Sequence, residues 1–353
     1  SIGSRQRWLT EHTVEIVNDA LDSEQLDQSL VCKIRSSVLL LGPLLARFGR
    51  LKISTPGGCH IGIRPIDTHL EALRRSGATV SFDSESGFYD IVLGKPVNTE
   101  VVLNEASVTA TENMLMLGVK HRLRIKMAAA EPHVIGLGKF LEQLGVKVAG
   151  LGTHTVSLEP AREPEASLSC AIVNDEIEMG TFAILGAVSK SKLRITGVIP
   201  DHLDSVLEKL REMGVVFEIK GADLIVNGSA STLKAAKVRT DIYPSIPTDL
   251  QALFGVLATQ AHGTSLIFDT LYEGRLKYID ELTKMGADAT ILDPHRVLIT
   301  GPTALHGTAV ESLDLRAGAT LVIAALIAKG ESVLGGAEQI DRGYEKIDLR
   351  LRE

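Results

Sequence analysis

Cysteine is scarce in this chain: Cys32, Cys59 and Cys170 are the three in 353 residues, an odd set with no metal-ligand spacing. That excludes a disulfide framework and suits a reducing compartment. Long apolar runs are missing too. VLLLGPLLA at 38–46 and LVIAALIA at 321–328 fall well short of the ~20 residues that a membrane-spanning helix needs. No charged segment followed by an apolar one opens the chain, so secretion is not expected. Positive charge is in deficit: 37 Lys and Arg against 44 Asp and Glu give a formal net charge of −7, which speaks against nucleic acid as a partner. There is no Walker loop, no HExxH and no CxxC, and no metal or cofactor is expected. The sequence reads as a cytoplasmic protein without membrane insertion, whose anionic ligands must be held by locally gathered arginines.

What is present is a globular composition, 44% hydrophobic and 23% charged, at a length that suggests about two domains. A period of roughly 70 residues organises it. SGATVSFDSESGFYDIVLG, LGVKVAGLGTHTVSLEP, MGVVFEIKGADLIVNG and MGADATILDPHRVLITG each pass from a glycine into two short alternating stretches. The glycines are Gly77, Gly145, Gly214 and Gly286, with Gly3 opening a fifth copy. Glycine just past a helix is the expected left-handed terminator, and the alternating segments read as hairpins.

Before each glycine lies an amphipathic helical pattern, as in IRPIDTHLEALRRSG and IPDHLDSVLEKLREMG, with QIDRGYEKIDLRLRE as a fifth version. Upstream of each is a more apolar helix and a short strand, such as EMGTFAILGAVSKS leading into LRITG. The wider apolar faces place this second set inside. The unit is helix, strand, helix, hairpin. Five helix pairs and five hairpins result; six units would make two matched domains, so one unit is expected to be missing, its pieces split between the termini. The linker-like LEPAREPEASLSC at 158–170 divides the domains, 1–165 and 166–353.

Polar residues that break the pattern recur at helix starts. Arg35, Ser107, Asp249, and Asp314 with Arg316 open inner helices; Arg64, Arg275 and Arg342 open outer ones. Helix N-termini attract anions, and arginine recognises carboxylate or phosphate in bidentate fashion. The shared phase predicts convergence on one cleft for an acidic ligand between the domains. Asp249 is a candidate general base, or a carboxylate that merely favours the helix dipole. Cys59, in PGGCHIG beside His60 and Arg64, is a candidate nucleophile or proton donor, or an accidental loop cysteine. Cys32 and Cys170, in LVCKI and LSCAI, read as buried strand residues, and His69 as structural.

LLLGPLLARFGRLKISTPGGCHIGIRPIDTHLEAL, together with PTDLQA, DLRAGA and IDRGYEKI, resembles the UDP-N-acetylglucosamine enolpyruvyl transferase (1-carboxyvinyltransferase) family over essentially the whole chain. The resemblance implies an α/β fold, a two-domain inside-out α/β barrel. It implies transfer of enolpyruvate from phosphoenolpyruvate to the 3-hydroxyl of UDP-N-acetylglucosamine, the first committed step of peptidoglycan precursor synthesis, with release of phosphate. Both substrates are small molecules. It also implies that Cys59, on the lid of the first domain, forms an adduct or donates a proton and is the target of fosfomycin. Asp249 in the second domain is implied as the base near the sugar hydroxyl. Arg64, Arg316 and Arg342 would hold phosphoenolpyruvate, with Arg35 ordering the site. Pro65, Asp67 and His69 lie where the family grips uridine, and Ser107 and Val108 where it cradles the diphosphate. Asp314 and Glu273 would complete the catalytic surface with Arg342, and Glu273, Arg275, Arg64 and Asp249 would also contact the nucleotide sugar.

The sequence departs from the family pattern in four places. An N-terminal Lys-Asn pair has no counterpart. Glu105 stands where a lysine meets the diphosphate, Thr109 where a glycine is usual, and Gly274 where an asparagine is usual. A related shikimate-pathway transferase shares the fold but does not use such a thiol. The alternative is a divergent or degenerate paralogue that binds a nucleotide sugar or other acceptor without this turnover.

Overall fold

The computed structural model describes residues 2–57, 64–95, 100–160 and 167–352. The chain divides into two compact units, one ending at Val173 and the other beginning at Asn174; the linker-like stretch lies just before that division. Each unit has its own hydrophobic core.

The first unit opens with a hairpin, β1 (Arg5–Thr10) and β2 (Thr13–Val17), then α1 (Gln28–Val31). A 3-10 segment over Arg35–Leu40 runs into α2 (Leu41–Phe48). Pro43 is the third residue of α2, where its missing N–H forfeits no intrahelical bond. β3 (Arg50–Ser54), α3 (Asp67–Arg75), β4 (Ala78–Asp83) and β5 (Phe88–Leu93) follow, with antiparallel strand order β3-β5-β4. The next repeat is β6 (Glu100–Val102), α4 (Val108–Leu117), β7 (Leu123–Lys126), α5 (Pro132–Gln143), β8 (Lys147–Ala149) and β9 (Thr155–Glu159). Its strand order is β6-β7-β9-β8, with β6 parallel to β7. α2 crosses α4 at Gly42, whose N–H donates to Asn113 Oδ1 at 2.6 Å. A Cβ there would stand 2.3 Å from the Asn113 carbonyl oxygen, so the crossing requires glycine.

The second unit repeats the plan. α6 (Glu176–Val188), β10 (Lys192–Thr196), α7 (Asp204–Glu212), β11 (Phe217–Lys220) and β12 (Asp223–Asn227) come first. β13 (Lys237–Thr240), α8 (Gln251–Thr259), β14 (Gly263–Asp269), α9 (Tyr278–Lys284), β15 (Asp288–Asp293) and β16 (Arg296–Gly301) come next. β17 (Ala309–Glu311), α10 (Leu315–Ile327), β18 (Val333–Gly335) and α11 (Ile347–Arg350) close it. Every residue of α8 is buried, whereas α7 buries only Val206, Leu207 and Leu210. Inner apolar helices and outer amphipathic ones are therefore distinguished as their patterns predict.

All five periodic glycines are left-handed, with φ of 86° at Gly3, 97° at Gly77, 85° at Gly145, 80° at Gly214 and 96° at Gly286. At Gly214 a Cβ would lie 2.1 Å from the Thr232 carbonyl oxygen. Gly3 and Gly214 need glycine on two counts, and in all five the period reports a left-handed backbone that favours glycine.

Three expectations are corrected. Cys32 is exposed and follows a helical turn. Asp27 accepts from the N–H groups of Ser29 and Leu30 and so starts the helical turn Gln28–Val31, which takes up the head of the LVCKI run and leaves Cys32 at its C-terminal end. Cys170 is also exposed, in a segment without regular structure where Ile172 is 91% exposed; apolar alternation without a pairing partner makes no strand. QIDRGYEKIDLRLRE is not one outer helix. It is a 3-10 run over Ala337–Arg342 and the short α11, broken at Gly343 and at Lys346, whose φ is 44°.

Candidate functional site

In the second unit, three of the residues singled out in the sequence meet. Asp249 sits in the 3-10 turn Thr248–Leu250 that leads into α8. Arg275 opens the 3-10 turn Arg275–Lys277 ahead of α9, and Arg316 is the second residue of α10. Arg316 Nε donates to Asp249 Oδ1 at 3.0 Å, and both terminal nitrogens of Arg275 approach the same oxygen at 3.4 Å. The arginine side chains are only 10% and 16% exposed, while that of Asp249 is 36% exposed. Burial pushes the Asp249 carboxyl up, but Arg275 and Arg316 outweigh it and hold it below the usual carboxylate range. Nε of Arg275 and Nη1 of Arg316 are buried and bond no atom of the described residues.

Neighbours fix this arrangement. Thr248 Oγ1 donates to the wholly buried Asp269, whose other oxygen accepts from the N–H groups of Leu271 and Tyr272 at 2.9 and 3.0 Å. The turn carrying Asp249 is thereby tied to the end of β14. Arg275 lies over the Tyr272 ring at 5.2 Å and Arg316 over the Tyr344 ring at 5.4 Å. Asp314 caps α10, its Oδ1 accepting from Arg316 N and Ala317 N at 2.8 and 2.9 Å. Arg342 is exposed at the end of its 3-10 run, bonding Gln339, and Glu273 is exposed.

In the first unit, Arg35 donates through Nη2 to the Pro65 carbonyl at 2.9 Å, which ties the start of the inner helix to the approach of α3. Arg64 is half-buried, and Asp67 is exposed in the first turn of α3. His69 is 3% exposed and its Nε2 meets Thr109 Oγ1 at 2.8 Å. Burial first, and then the Arg35 charge, lower its pKa to about 4, so it is neutral at neutral pH. Ser107 caps α4 by accepting from Ala110 N, and Val108 begins the helix. Glu105 Oε1 accepts from Thr68 Oγ1 at 3.1 Å. Cys59 and His60 lie outside the described residues.

The sequence reading did not single out Thr68, Thr181, Asp269 or Tyr344. The signal available was a hydroxyl or carboxylate set inside an apolar run, as Thr181 is in EMGTFAIL.

The EPSP synthase (3-phosphoshikimate 1-carboxyvinyltransferase) family profile matches residues 2–351. The UDP-N-acetylglucosamine 1-carboxyvinyltransferase of Campylobacter hominis is 39% identical over 355 residues, covering 100% of this chain and 84% of that protein. UDP-N-acetylglucosamine 1-carboxyvinyltransferase 2 of Geobacillus kaustophilus is 40% identical over 333 residues, covering 94% of this chain and 77% of that one. Among solved structures, the enolpyruvyl transferase NikO from Streptomyces tendae superposes with a TM-score of 0.86 at 23% identity, over 99% of this chain and 83% of its own. EPSP synthase from Acinetobacter baumannii gives 0.70 at 20% identity, over 99% and 84%. No helix among the described residues is long and apolar enough to cross a membrane. A repeat of helix pairs and hairpins, a half-buried carboxylate flanked by two arginines, and these matches over nearly the full length have one reading: the chain belongs to the EPSP synthase family of carboxyvinyltransferases, among the UDP-N-acetylglucosamine 1-carboxyvinyltransferases.

Proposed function

We propose that this chain transfers enolpyruvate from phosphoenolpyruvate to the 3-hydroxyl of UDP-N-acetylglucosamine. The observation that carries the reading is the Asp249 carboxylate, held ionised between two buried guanidinium groups that each keep a spare donor. Buried donors without partners are costly, and their natural complement is an anionic substrate group. Asp249 accepts the proton of the acceptor hydroxyl as that oxygen bonds to C2 of phosphoenolpyruvate. A proton added at C3 completes a tetrahedral adduct; loss of phosphate and of a C3 proton restores the enol. Fixed cations are worth most where water is excluded.

Arg316, with Arg64 and Arg342, is assigned to phosphoenolpyruvate, and Arg35 to ordering Pro65. Cys59 is assigned as the residue that forms the thiol adduct or supplies the proton. Pro65, Asp67, Ser107 and Val108 are assigned to the nucleotide sugar, and Glu273 and Asp314 to the reacting surface. His69 is given a supporting place, because its buried ring faces Thr109 in the first turn of α4. Reaction in the cytoplasm on soluble substrates follows from this assignment.

A second reading, a divergent member with another acceptor, is favoured by Glu105. Its carboxylate, bonded to Thr68, stands two residues before the Ser107 cap, where a diphosphate would meet negative charge. Phosphate release from phosphoenolpyruvate separates the readings when run with and without UDP-N-acetylglucosamine. The proposal expects sugar-dependent release that is lost in Asp249→Asn. Release that ignores the sugar, or survives in the variant, would sink it.

A further inference from the structure

We propose that two buried side-chain pairs, Thr248 with Asp269 and Gln251 with Tyr278, are positioning pairs that hold the Asp249 carboxylate in register with the Arg275 guanidinium from either side. The inference deepens the enolpyruvyl transferase reading and rests on it for the kinetic part of its test.

Two stretches of the second unit are cross-linked three times, in the same chain order. Thr248 Oγ1 donates to Asp269 Oδ2, Arg275 approaches Asp249 Oδ1 at 3.4 Å, and Gln251 Nε2 donates to Tyr278 Oη at 3.2 Å. The middle link holds the most accessible side chain of the six. Asp249 is 36% exposed there, whereas Asp269 and Gln251 are wholly buried and Tyr278 is 1% exposed. A carboxylate, an amide and a phenol in a core are costly unless bonded, and the packing makes room for these bonds. A Cβ at Gly255 in α8 would lie 2.4 Å from Tyr278 Oη, so the hydroxyl occupies space that only glycine leaves. Asp269 uses both of its oxygens, since Oδ1 accepts from Leu271 N and Tyr272 N at 2.9 and 3.0 Å.

The flanking pairs reach both partners of the middle link. On the Asp249 side they anchor the 3-10 turn Thr248–Leu250 and Gln251, the first residue of α8. On the Arg275 side, Asp269 holds the backbone at Tyr272, whose ring lies 5.2 Å from the guanidinium, and Tyr278 is the first residue of α9. A contact of 3.4 Å is long for a charged pair, and an arginine side chain has much rotamer freedom to lose. The middle link therefore does not set its own geometry; the flanking pairs set it. With either pair broken, the turn and the guanidinium move independently, and the base loses its orientation toward the acceptor hydroxyl.

The test is nitrogen-15 NMR relaxation of arginine-labelled full chain, with the Arg275 Nε–H signal assigned by its loss in Arg275→Lys. It is run on wild type, Thr248→Val, Thr248→Ser and Tyr278→Phe. The expected order parameter is about 0.85 in wild type and in Thr248→Ser, which keeps the hydroxyl, and it falls toward roughly 0.6 in Thr248→Val and Tyr278→Phe. Along with that loss, kcat for phosphate release from phosphoenolpyruvate in the presence of UDP-N-acetylglucosamine falls about tenfold in the same two variants, while KM is unchanged. Tyr278→Phe keeps the ring and its packing, so it remains informative should Thr248→Val fold poorly. A wild-type order parameter in Tyr278→Phe or in folded Thr248→Val would overturn the proposal, as would Thr248→Ser as mobile as Thr248→Val. A wild-type chain that releases no phosphate would overturn the transferase reading instead, and the relaxation measurement, which needs no turnover, would still decide the positioning role.

Discussion

Arg316 donates to Asp249 at 3.0 Å across 67 residues of sequence, which is one repeat of the chain. Both residues stand where an inner helix begins, one before α8 and the other in α10. Packing successive inner helices side by side brings equivalent positions together, so a period in sequence becomes a contact in space. The pair is chemically lopsided: a half-buried carboxylate faces two more deeply buried guanidinium groups. Asp249→Asn keeps the shape and removes the charge. We expect transferase activity to fall on the order of a thousandfold, the scale of a lost general base. The second unit should also lose about 3 kcal/mol, since Arg275 and Arg316 are left buried and uncompensated. Phosphate-release kinetics and urea denaturation measure the two losses separately.

Glu105 allows a gain of function. Glu105→Lys replaces a carboxylate that accepts from Thr68 with a cation two residues before the α4 cap. If Ser107 and Val108 cradle a diphosphate, UDP-N-acetylglucosamine should bind about tenfold more tightly, as a charge-assisted contact to phosphate implies. Titration calorimetry that shows no change would mean that this turn does not face the nucleotide.

His69 makes the first unit sensitive to acid. Its folded pKa of about 4 lies below the ordinary histidine value of 6.5, so between those values the unfolded chain binds more protons. Stability is therefore full above pH 6.5 and falls as the pH drops toward 4, with a loss of about 2 kcal/mol by roughly pH 5. His69→Gln removes the titrating group. The difference in unfolding free energy between pH 7.5 and 5 should shrink by about that amount relative to wild type. An equal difference in both proteins would show that the buried imidazole is not the cause.

Asp314 can act as a cap, as a reacting group, or as both. Asp314→Ala should cost about 1 kcal/mol through the Arg316 and Ala317 N–H groups it leaves open. Serine restores a cap without restoring a charge. Recovery of stability but not of turnover in Asp314→Ser would support its assignment to the reacting surface; recovery of both would reduce it to a cap.

The Cys59 assignment is read by mass. Fosfomycin should add once to the intact chain, at Cys59, and faster in the presence of UDP-N-acetylglucosamine. Cys59→Ser should stay unmodified with its fold unchanged. Labelling that persists in that variant would remove the thiol from the account.

The repeat was legible because its markers are local. Left-handed turns favour glycine, and inner helices carry wider apolar faces than outer ones, so the order of elements could be read from one chain. The short parallel strands β6, β13 and β17 could not, because three or four residues carry too little alternation to register. Cys32 misled because LVCKI has a strand's composition, while the deciding feature, the Asp27 cap, lies outside the run. Asp249, Arg275 and Arg316 were legible as charges in a shared phase, but their convergence on one carboxylate oxygen was not.

The most direct test of the account is product analysis by mass spectrometry after the chain is incubated with phosphoenolpyruvate and UDP-N-acetylglucosamine. The account predicts a nucleotide sugar heavier by one enolpyruvyl group, carried on the 3-hydroxyl, with one phosphate released per product. Unchanged UDP-N-acetylglucosamine, in a preparation that calorimetry shows to bind both compounds, would contradict it.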